Sequence, residues 1–328
     1  METTILGRTG RETSVVGQGC WQFGGDWGDV SDDTAMSVLH TAADNGITMF
    51  DTADVYGDGH SEELLGRFLR ERGDDSLFVA TKLGRRADPF VAETYTRENL
   101  RAWTERSRRL LGVDTLDLTQ LHCPPPQVYS TDAVFDALDE MVDDGWLRHY
   151  GVSVETVDEA MTALERPNLA TIQIILNVFR RKPLEQVLPA AQQAGVGVIA
   201  RVPLASGLLS GRFSAETTFS AQDHRTYNRH GEAFDQGETF SGVPFEAGVK
   251  AAEAFVRLVP EGFTPAQFAL RWVLDQPGLS VVIPGASRPE QAVANAAAGS
   301  LPHLTDEQLS ALEDLYDEHV RGFVHDRW

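Results

Sequence analysis

The sequence predicts an α/β protein of the closed eight-stranded kind, a (β/α)8 TIM barrel, and three observations carry that prediction. Eight short apolar runs of strand length alternate with amphipathic helical patterns along the chain. No glycine-rich dinucleotide fingerprint follows the first run: Gly17-Gln18-Gly19-Cys20-Trp21-Gln22 lacks a third glycine and does not open a helix, which counts against a doubly wound open sheet. No Pro/Gly/Ser linker or shift in composition divides the 328 residues, so one domain over 1–328 is expected.

Taken in order, residues 3–17 read as a hairpin: Thr4-Ile5-Leu6, a turn at Gly7-Arg8-Thr9-Gly10, then Ser14-Val15-Val16. Strands are expected at 15–19, 47–50, 77–82, 116–121, 149–153, 171–176, 196–201 and 280–283. Helices are expected at 32–45, 61–72, 96–111, 131–144, 155–165, 184–194, 246–258 with 264–275, and 289–298, and an extra C-terminal helix at 305–320. Cap residues support several boundaries: Ser31 and Ser130-Thr131 open helices, and Asn45-Gly46 closes the first. The stretch 211–244, rich in Gly, Ser, Thr, Asp and Arg, reads as a long functional loop.

Composition narrows the partners. A formal net charge of −21 argues against nucleic acid and against anionic membranes. No apolar run is long enough to span a bilayer, and the first residues carry no export signal, so a cytoplasmic protein is expected. Cys20 and Cys123 fit a reducing compartment and form no metal-ligand pattern; they read as packed thiols. Lysine is confined to Lys82, Lys182 and Lys250. An acidic, lysine-poor chain suits a high-salt cytoplasm, and GC-rich coding accounts for it equally well.

In a barrel the strand C-termini share one rim, where catalysis is carried out. Asp51 ends the second strand and Lys82 the third; His122 follows the fourth, and Tyr56 lies in the loop after the second. Each alone reads as a turn former, a strand-closing ion pair or a structural histidine; together they make a complete proton-transfer set. A phenol titrates near pH 10, so a nearby ammonium is needed to favour its anion, and a buried carboxylate keeps the ammonium charged. Such a site protonates a carbonyl oxygen as hydride reaches the carbon, or the reverse. Side chains supply no hydride, so a nicotinamide is required.

The motif Asp51-Thr52-Ala53-Asp54-Val55-Tyr56-Gly57, followed by Ser61-Glu62-Glu63-Leu64-Leu65-Gly66, resembles the aldo-keto reductase superfamily. So do Ala80-Thr81-Lys82, Gln120-Leu121-His122, Tyr150-Gly151-Val152-Ser153 and Ile283-Pro284-Gly285, in order over essentially the whole chain. The resemblance implies a barrel whose floor is plugged by the N-terminal hairpin and a small carbonyl or alcohol (or sugar) substrate. It implies Tyr56 as general acid, Lys82 lowering its pKa, Asp51 as partner of Lys82, and His122 positioning the carbonyl. It also implies NADPH/NADP+ bound across the rim, with NADH possible. Ser153 and Gln173 would hold the carboxamide, and Gly19 and Trp21 would form the first loop of the pocket. Arg201 would stand where relatives stack an aromatic ring on the nicotinamide. Pro203, Leu204, Ser206, Gly207, Leu208, Ser210 and Arg212 would cover the pyrophosphate. Gly285, Ser287, Arg288, Gln291 and Asn295 would receive the adenosine end. Three positions depart from the family pattern: Val154 where Asn is usual, Gly285 where Lys is common, and Gln291 where Arg is common. Two other readings stay open: a nicotinamide-binding sensor or regulatory subunit with slow turnover, and a Schiff-base aldolase using Lys82. Trp27, Phe90, residues 124–128 and the 211–244 stretch, with Arg225, Tyr227, Arg229 and His230, are the expected substrate surroundings.

Overall fold

The computed structural model describes residues 1–28 and 30–328. Strands β1 (Thr3–Ile5) and β2 (Glu12–Ser14) pair antiparallel. Eight parallel strands follow in sequence order: β3 (Gln18–Gly19), β4 (Met49–Asp51), β5 (Phe78–Leu83), β6 (Leu116–His122), β7 (Leu147–Ser153), β8 (Thr171–Ile175), β9 (Gly197–Arg201) and β10 (Val281–Val282). The sheet closes on itself. The Gly17 amide donates to the Val282 carbonyl at 2.8 Å, the Val282 amide to Val15 at 3.0 Å, and the Gly19 amide to Pro284 at 3.0 Å. The result is the expected barrel, with every strand C-terminus at one rim.

Outside it run α1 (Asp32–Asp44), α2 (His60–Arg72), α3 (Arg97–Leu111), α4 (Asp132–Asp143), α5 (Val157–Leu164) and α6 (Val187–Ala194). They continue with α7 (His224–Tyr227), α8 (Phe245–Leu258), α9 (Pro265–Leu274), α10 (Pro289–Ala298), α11 (Asp306–His319) and α12 (Arg321–Val324). The strands are apolar without alternation because both faces are covered: the six residues of β5 and the five of β9 are all buried. The Ser31 hydroxyl caps α1 by accepting from the Thr34 amide, as expected. The Thr131 hydroxyl instead donates to the Gln127 carbonyl and leaves α4 without a side-chain cap. Among the described residues no helix is long and apolar enough to cross a membrane.

Two apolar cores result. The larger lies between sheet and helices; the smaller fills the barrel, where Met49, Phe78, Ala80, Leu118, Ile199, Val281 and Ile283 meet Leu6. Leu6 comes from the hairpin, which closes the floor. At Gly7 a Cβ would stand 2.0 Å from the Gly197 amide nitrogen, so only glycine permits this approach. The Arg8 guanidinium donates to the Ala194 carbonyl at 2.8 Å. The hairpin's second strand ends at Ser14, two residues before the expected Val16, because Val15 and Val16 are drawn into the barrel seam.

The 211–244 stretch is largely exposed over residues 211–222 and packed from Asp223 onward. It holds α7 and two short 3-10 turns, Gln236–Glu238 and Phe240–Gly242. Buried Asn228 ties it together, donating to the Thr239 hydroxyl and accepting from the Ala233 and Phe234 amides. The Trp328 ring packs against Gly237 and Gly242, lies 4.1 Å from the Arg180 guanidinium and donates its indole N–H to Asp235 at 2.9 Å.

Candidate active site

The register of adjacent strands builds the centre of the rim. Asp51 pairs with Ala80, so Lys82, two residues further along β5, projects on the same face and reaches back to it. Lys82 Nζ lies 2.5 Å from Asp51 Oδ1, 2.9 Å from the Thr52 carbonyl and 3.3 Å from Tyr56 Oη. All three donors of the ammonium therefore have acceptors, in a place where Lys82 is 1% and Asp51 3% exposed. The second Asp51 oxygen accepts from Gln173 Nε2 at 2.8 Å. Tyr56 is placed by a turn with Gly57 and Asp58 left-handed, packed so closely on the β3–α1 loop that a Cβ at Gly24 would stand 2.7 Å from the Gly57 amide nitrogen.

His122 presents its ring edge-on to Tyr56, with 5.9 Å between centroids. Burial, then Arg85, Lys82 and Arg201, hold its pKa well below the usual histidine value, so the imidazole is neutral. Burial works against the charge on Lys82, and Asp51 and Tyr56 outweigh it; its pKa stands above that of a free lysine. Tyr56 departs from expectation. Burial pushes its phenol up to about 12, and the Lys82 charge only pulls part of the way back. The phenol is thus fully protonated at neutral pH.

Beside this centre lies a second group of charges, of which only Arg201 was expected from the sequence. Arg85, just past β5, sends one nitrogen, Nη1, to Glu238 Oε1 at 2.8 Å and to His122 Nε2 at 3.4 Å. Arg201, at the end of β9, bonds Glu155 at 2.7 Å and approaches Glu238 at 3.5 Å. Burial pushes the Glu155 carboxyl up to about 7, whereas Arg85 and Arg201 overcome burial at Glu238 and hold it down at about 2. Cys123, Glu155 and Glu238 bring possible ligand atoms within 4.8 Å of one another, and the Arg201 guanidinium already bonds Cys123 and Glu155 and pairs with Glu238. Arg85 and Glu155 sit directly after strands, where a search for every charge at the rim would have found them. Nothing local marks Glu238.

A cleft of about 500 Å³ crosses the rim. Tyr56, His122, Asp51, Trp21, Trp27 and Glu238 surround its inner end; Arg212, Ser287, Gln291 and Asn295 lie on its surface too. Gly19, Gln173, Arg201, Pro203, Leu204, Ser206, Gly207, Ser210 and Gly285 complete the expected residues found there. Lys82, buried behind Asp51 and Tyr56, is not on that surface, and neither are three of the expected cofactor residues. Ser153 is fully buried and its hydroxyl accepts from the Cys123 thiol at 3.5 Å. Leu208 points into the core, where a Cβ at Gly248 would lie 2.7 Å from it. Arg288, the N-cap residue of α10, extends into solvent. The Ser206 hydroxyl is committed to the Glu238 carbonyl and the Phe240 amide, and Gln291 Oε1 accepts from the Ser287 amide and hydroxyl. Gln22 fills the space a side chain at 285 would enter: its amide nitrogen lies 2.0 Å from the position of a Gly285 Cβ.

Of the expected substrate surroundings, Trp21 stacks on Tyr56 at 6.0 Å and 18°, and Trp27 stands edge-on to it at 5.4 Å. Arg225 lies 4.9 Å from the Trp27 ring and is paired with Asp223. Tyr227 donates to Asp26, Arg229 lies over Phe245, and His230 is exposed. Phe90 is 45% exposed and packs edge-on to Tyr95, away from the cleft, and none of residues 124–128 lines it. Cys20 lines the cleft, Cys123 does not, and burial raises the pKa of both thiols, which marks them as inert.

The comparisons agree with this geometry. The model of the Aldo/keto reductase family matches residues 15–317. Aldo-keto reductase YhdN of Bacillus subtilis (strain 168) is 32% identical over 297 residues, 89% of this chain and 86% of that protein. The glycerol dehydrogenase AKR11B4 from Gluconobacter oxydans superposes with a TM-score of 0.78 at 34% identity, covering 94% of this chain and 93% of that one. An aldo-keto reductase from Klebsiella pneumoniae solved in complex with NADPH gives 0.71 at 25% identity, over 96% and 95%. With a barrel closed by the expected seam and four proton-handling residues at its rim, the chain belongs to the aldo/keto reductase family.

Proposed function

We propose that this chain is an NADPH-dependent oxidoreductase, folded as one barrel domain, that reduces a small aldehyde or ketone, or oxidises the corresponding alcohol or sugar, with Tyr56 as general acid. The observation that carries this reading is the bridge made by Lys82 Nζ between Asp51 Oδ1 and Tyr56 Oη at the inner end of the cleft. The residues present suit the cofactor. The cleft joins this centre to Arg212, which can face phosphate, and Gln173 keeps its amide oxygen for a carboxamide because its nitrogen is spent on Asp51. Arg201 offers a guanidinium face, edge-bonded by Glu155, where relatives stack a ring. Arg212, Ser287, Gln291 and Asn295 would hold the phosphates and adenosine; with Gly285 and Gln291 in place of basic residues, NADH is also accepted.

Bound NADPH supplies hydride to the carbonyl carbon. The protein handles the oxygen. Neutral His122 orients it by hydrogen bond, and Tyr56 gives it the phenolic proton as negative charge develops there. The Lys82 ammonium stabilises the phenolate left behind, and Asp51 keeps that ammonium charged and directed. Trp21, stacked on Tyr56, shields the step from water. A lysine committed to three acceptors is not free to attack carbonyls, which argues against the Schiff-base reading.

The test is NADPH consumption with a panel of aldehydes and ketones, for wild type and Tyr56→Phe. Loss of turnover on the order of 10²–10⁴-fold, with NADPH binding retained, supports the role of Tyr56. Undiminished turnover refutes it, and tight binding without turnover on any substrate points to a sensor.

A further inference from the structure

The carboxylate at the inner end of the cleft has no part in the proton transfer described above. Glu238 is 5% exposed, lies on the cleft surface with Tyr56 and His122, and bears a charge felt at the Tyr56 phenol. Only one guanidinium nitrogen separates it from the catalytic histidine, since the same Arg85 Nη1 reaches Glu238 Oε1 and His122 Nε2. A substrate whose carbonyl oxygen lies against Tyr56 and His122 therefore brings the substituent on its next carbon towards Glu238, with Arg85 behind the carboxylate.

The pair is held in place before any ligand arrives. The Glu238 carbonyl accepts from the Ser206 hydroxyl at 3.0 Å, Asp235 caps the turn through the Gly237 amide at 2.7 Å, and the Trp328 indole fixes Asp235. Arg85 is stacked 5.4 Å from the Phe234 ring centroid. A fixed carboxylate on the cleft surface offers an acceptor, which a hydroxyl can use and an alkyl group cannot. Trp21 and Trp27, also on that surface, supply flat apolar faces for the carbons that carry such hydroxyls. A plain alkyl group would leave the Glu238 carboxylate covered and unanswered.

Resting on the reductase reading, we propose that Glu238 is a specificity-determining residue, accepting a hydrogen bond from a hydroxyl on the carbon next to the reacting carbonyl, so that the substrates are small hydroxyaldehydes or hydroxyketones and, in reverse, vicinal diols.

The test compares kcat/KM for glycolaldehyde or glyceraldehyde with that for propanal, using NADPH, and for propane-1,2-diol with that for propan-1-ol, using NADP+. Wild type is expected to favour the hydroxylated member of each pair by on the order of tenfold or more. Glu238→Gln, nearly isosteric, is expected to shrink that ratio several-fold, and Glu238→Leu to bring it close to one, whatever the absolute rates become. NADPH binding, followed by fluorescence on the same samples, identifies variants that fail to fold. A wild type without the preference, or a folded Glu238→Leu that keeps it, overturns the proposal and leaves the reductase reading intact. Absence of turnover with every carbonyl while NADPH binds overturns both.

Discussion

Two buried charge clusters meet at the inner end of the cleft, and they are built in opposite ways. Asp51, Lys82 and Tyr56 come from neighbouring strands and the loop between them; every donor of the single cation is matched, strand register sets the Asp51–Lys82 spacing, and a tight turn sets Tyr56. Arg85, Glu155, Arg201 and Glu238 come from three separate strand ends and the 211–244 stretch, and the Arg85–Glu238 contact joins residues 153 apart in sequence. Two cations there share two carboxylates, and one oxygen, Glu155 Oε1, remains buried without a partner. The first cluster exists once the barrel has closed. The second exists only once the long segment has docked. The proposed proton transfer is thus part of the frame, whereas the proposed recognition is part of an attachment.

Substitutions should expose this difference. Lys82→Met leaves the Asp51 carboxylate buried beside an apolar chain, so a loss of about 3–5 kcal/mol in urea unfolding is expected, along with most of the turnover. A loss within experimental error would show that the strand-borne cluster is not the integral part claimed here. Arg201→Met should cost less, about 1–3 kcal/mol, because Arg85 still pairs with Glu238 and Glu155 can hold its proton. A cost equal to that of Lys82→Met would erase the distinction between frame and attachment.

The smallest effect concerns Asp54, near the first cluster, whose two carboxylate oxygens are buried and unpartnered. Burial, helped by the Glu62 charge, raises its carboxyl from 3.8 to about 7. Over that window the native state keeps a proton that the unfolded chain has released, so stability falls as pH rises through it. Asp54→Asn should remove most of this fall, seen as a flatter plot of Tm against pH. A slope as steep as that of wild type would mean that Asp54 is ionised throughout. Glu62 and Glu155, both shifted in the same direction by burial, account for the slope that remains.

Much of the frame could be read without coordinates, because an apolar run buried on both faces must stop where the strand stops. The ends of β4, β5 and β6 fell within about a residue of expectation, which is why Asp51, Lys82 and His122 were expected at the rim where the structure has them. Side-chain direction beyond a strand end was not readable in that way. Ser153 and Leu208 turn inward and Arg288 outward, according to packing that no local pattern encodes. The fall in the Tyr56 pKa was expected from a neighbouring charge, yet the depth of burial decides its sign. Glu238 was hidden for a third reason. It lies in a stretch whose composition imitates a solvated loop, and its partners are distant in sequence.

Asp26 gives the roof of the cleft a mechanical character. Its carboxylate accepts from the Trp21 indole at 3.0 Å and the Tyr227 hydroxyl at 2.8 Å, while its carbonyl accepts from the His224 amide at 3.0 Å. The loop after β3 and the segment around α7 are therefore riveted at one residue. They must swing as a single panel, unless the rivet itself is broken. Any displacement of the α7 segment that keeps these bonds also displaces Trp21 from Tyr56, so the cover of the reacting centre and the roof of the cleft form one mechanical unit.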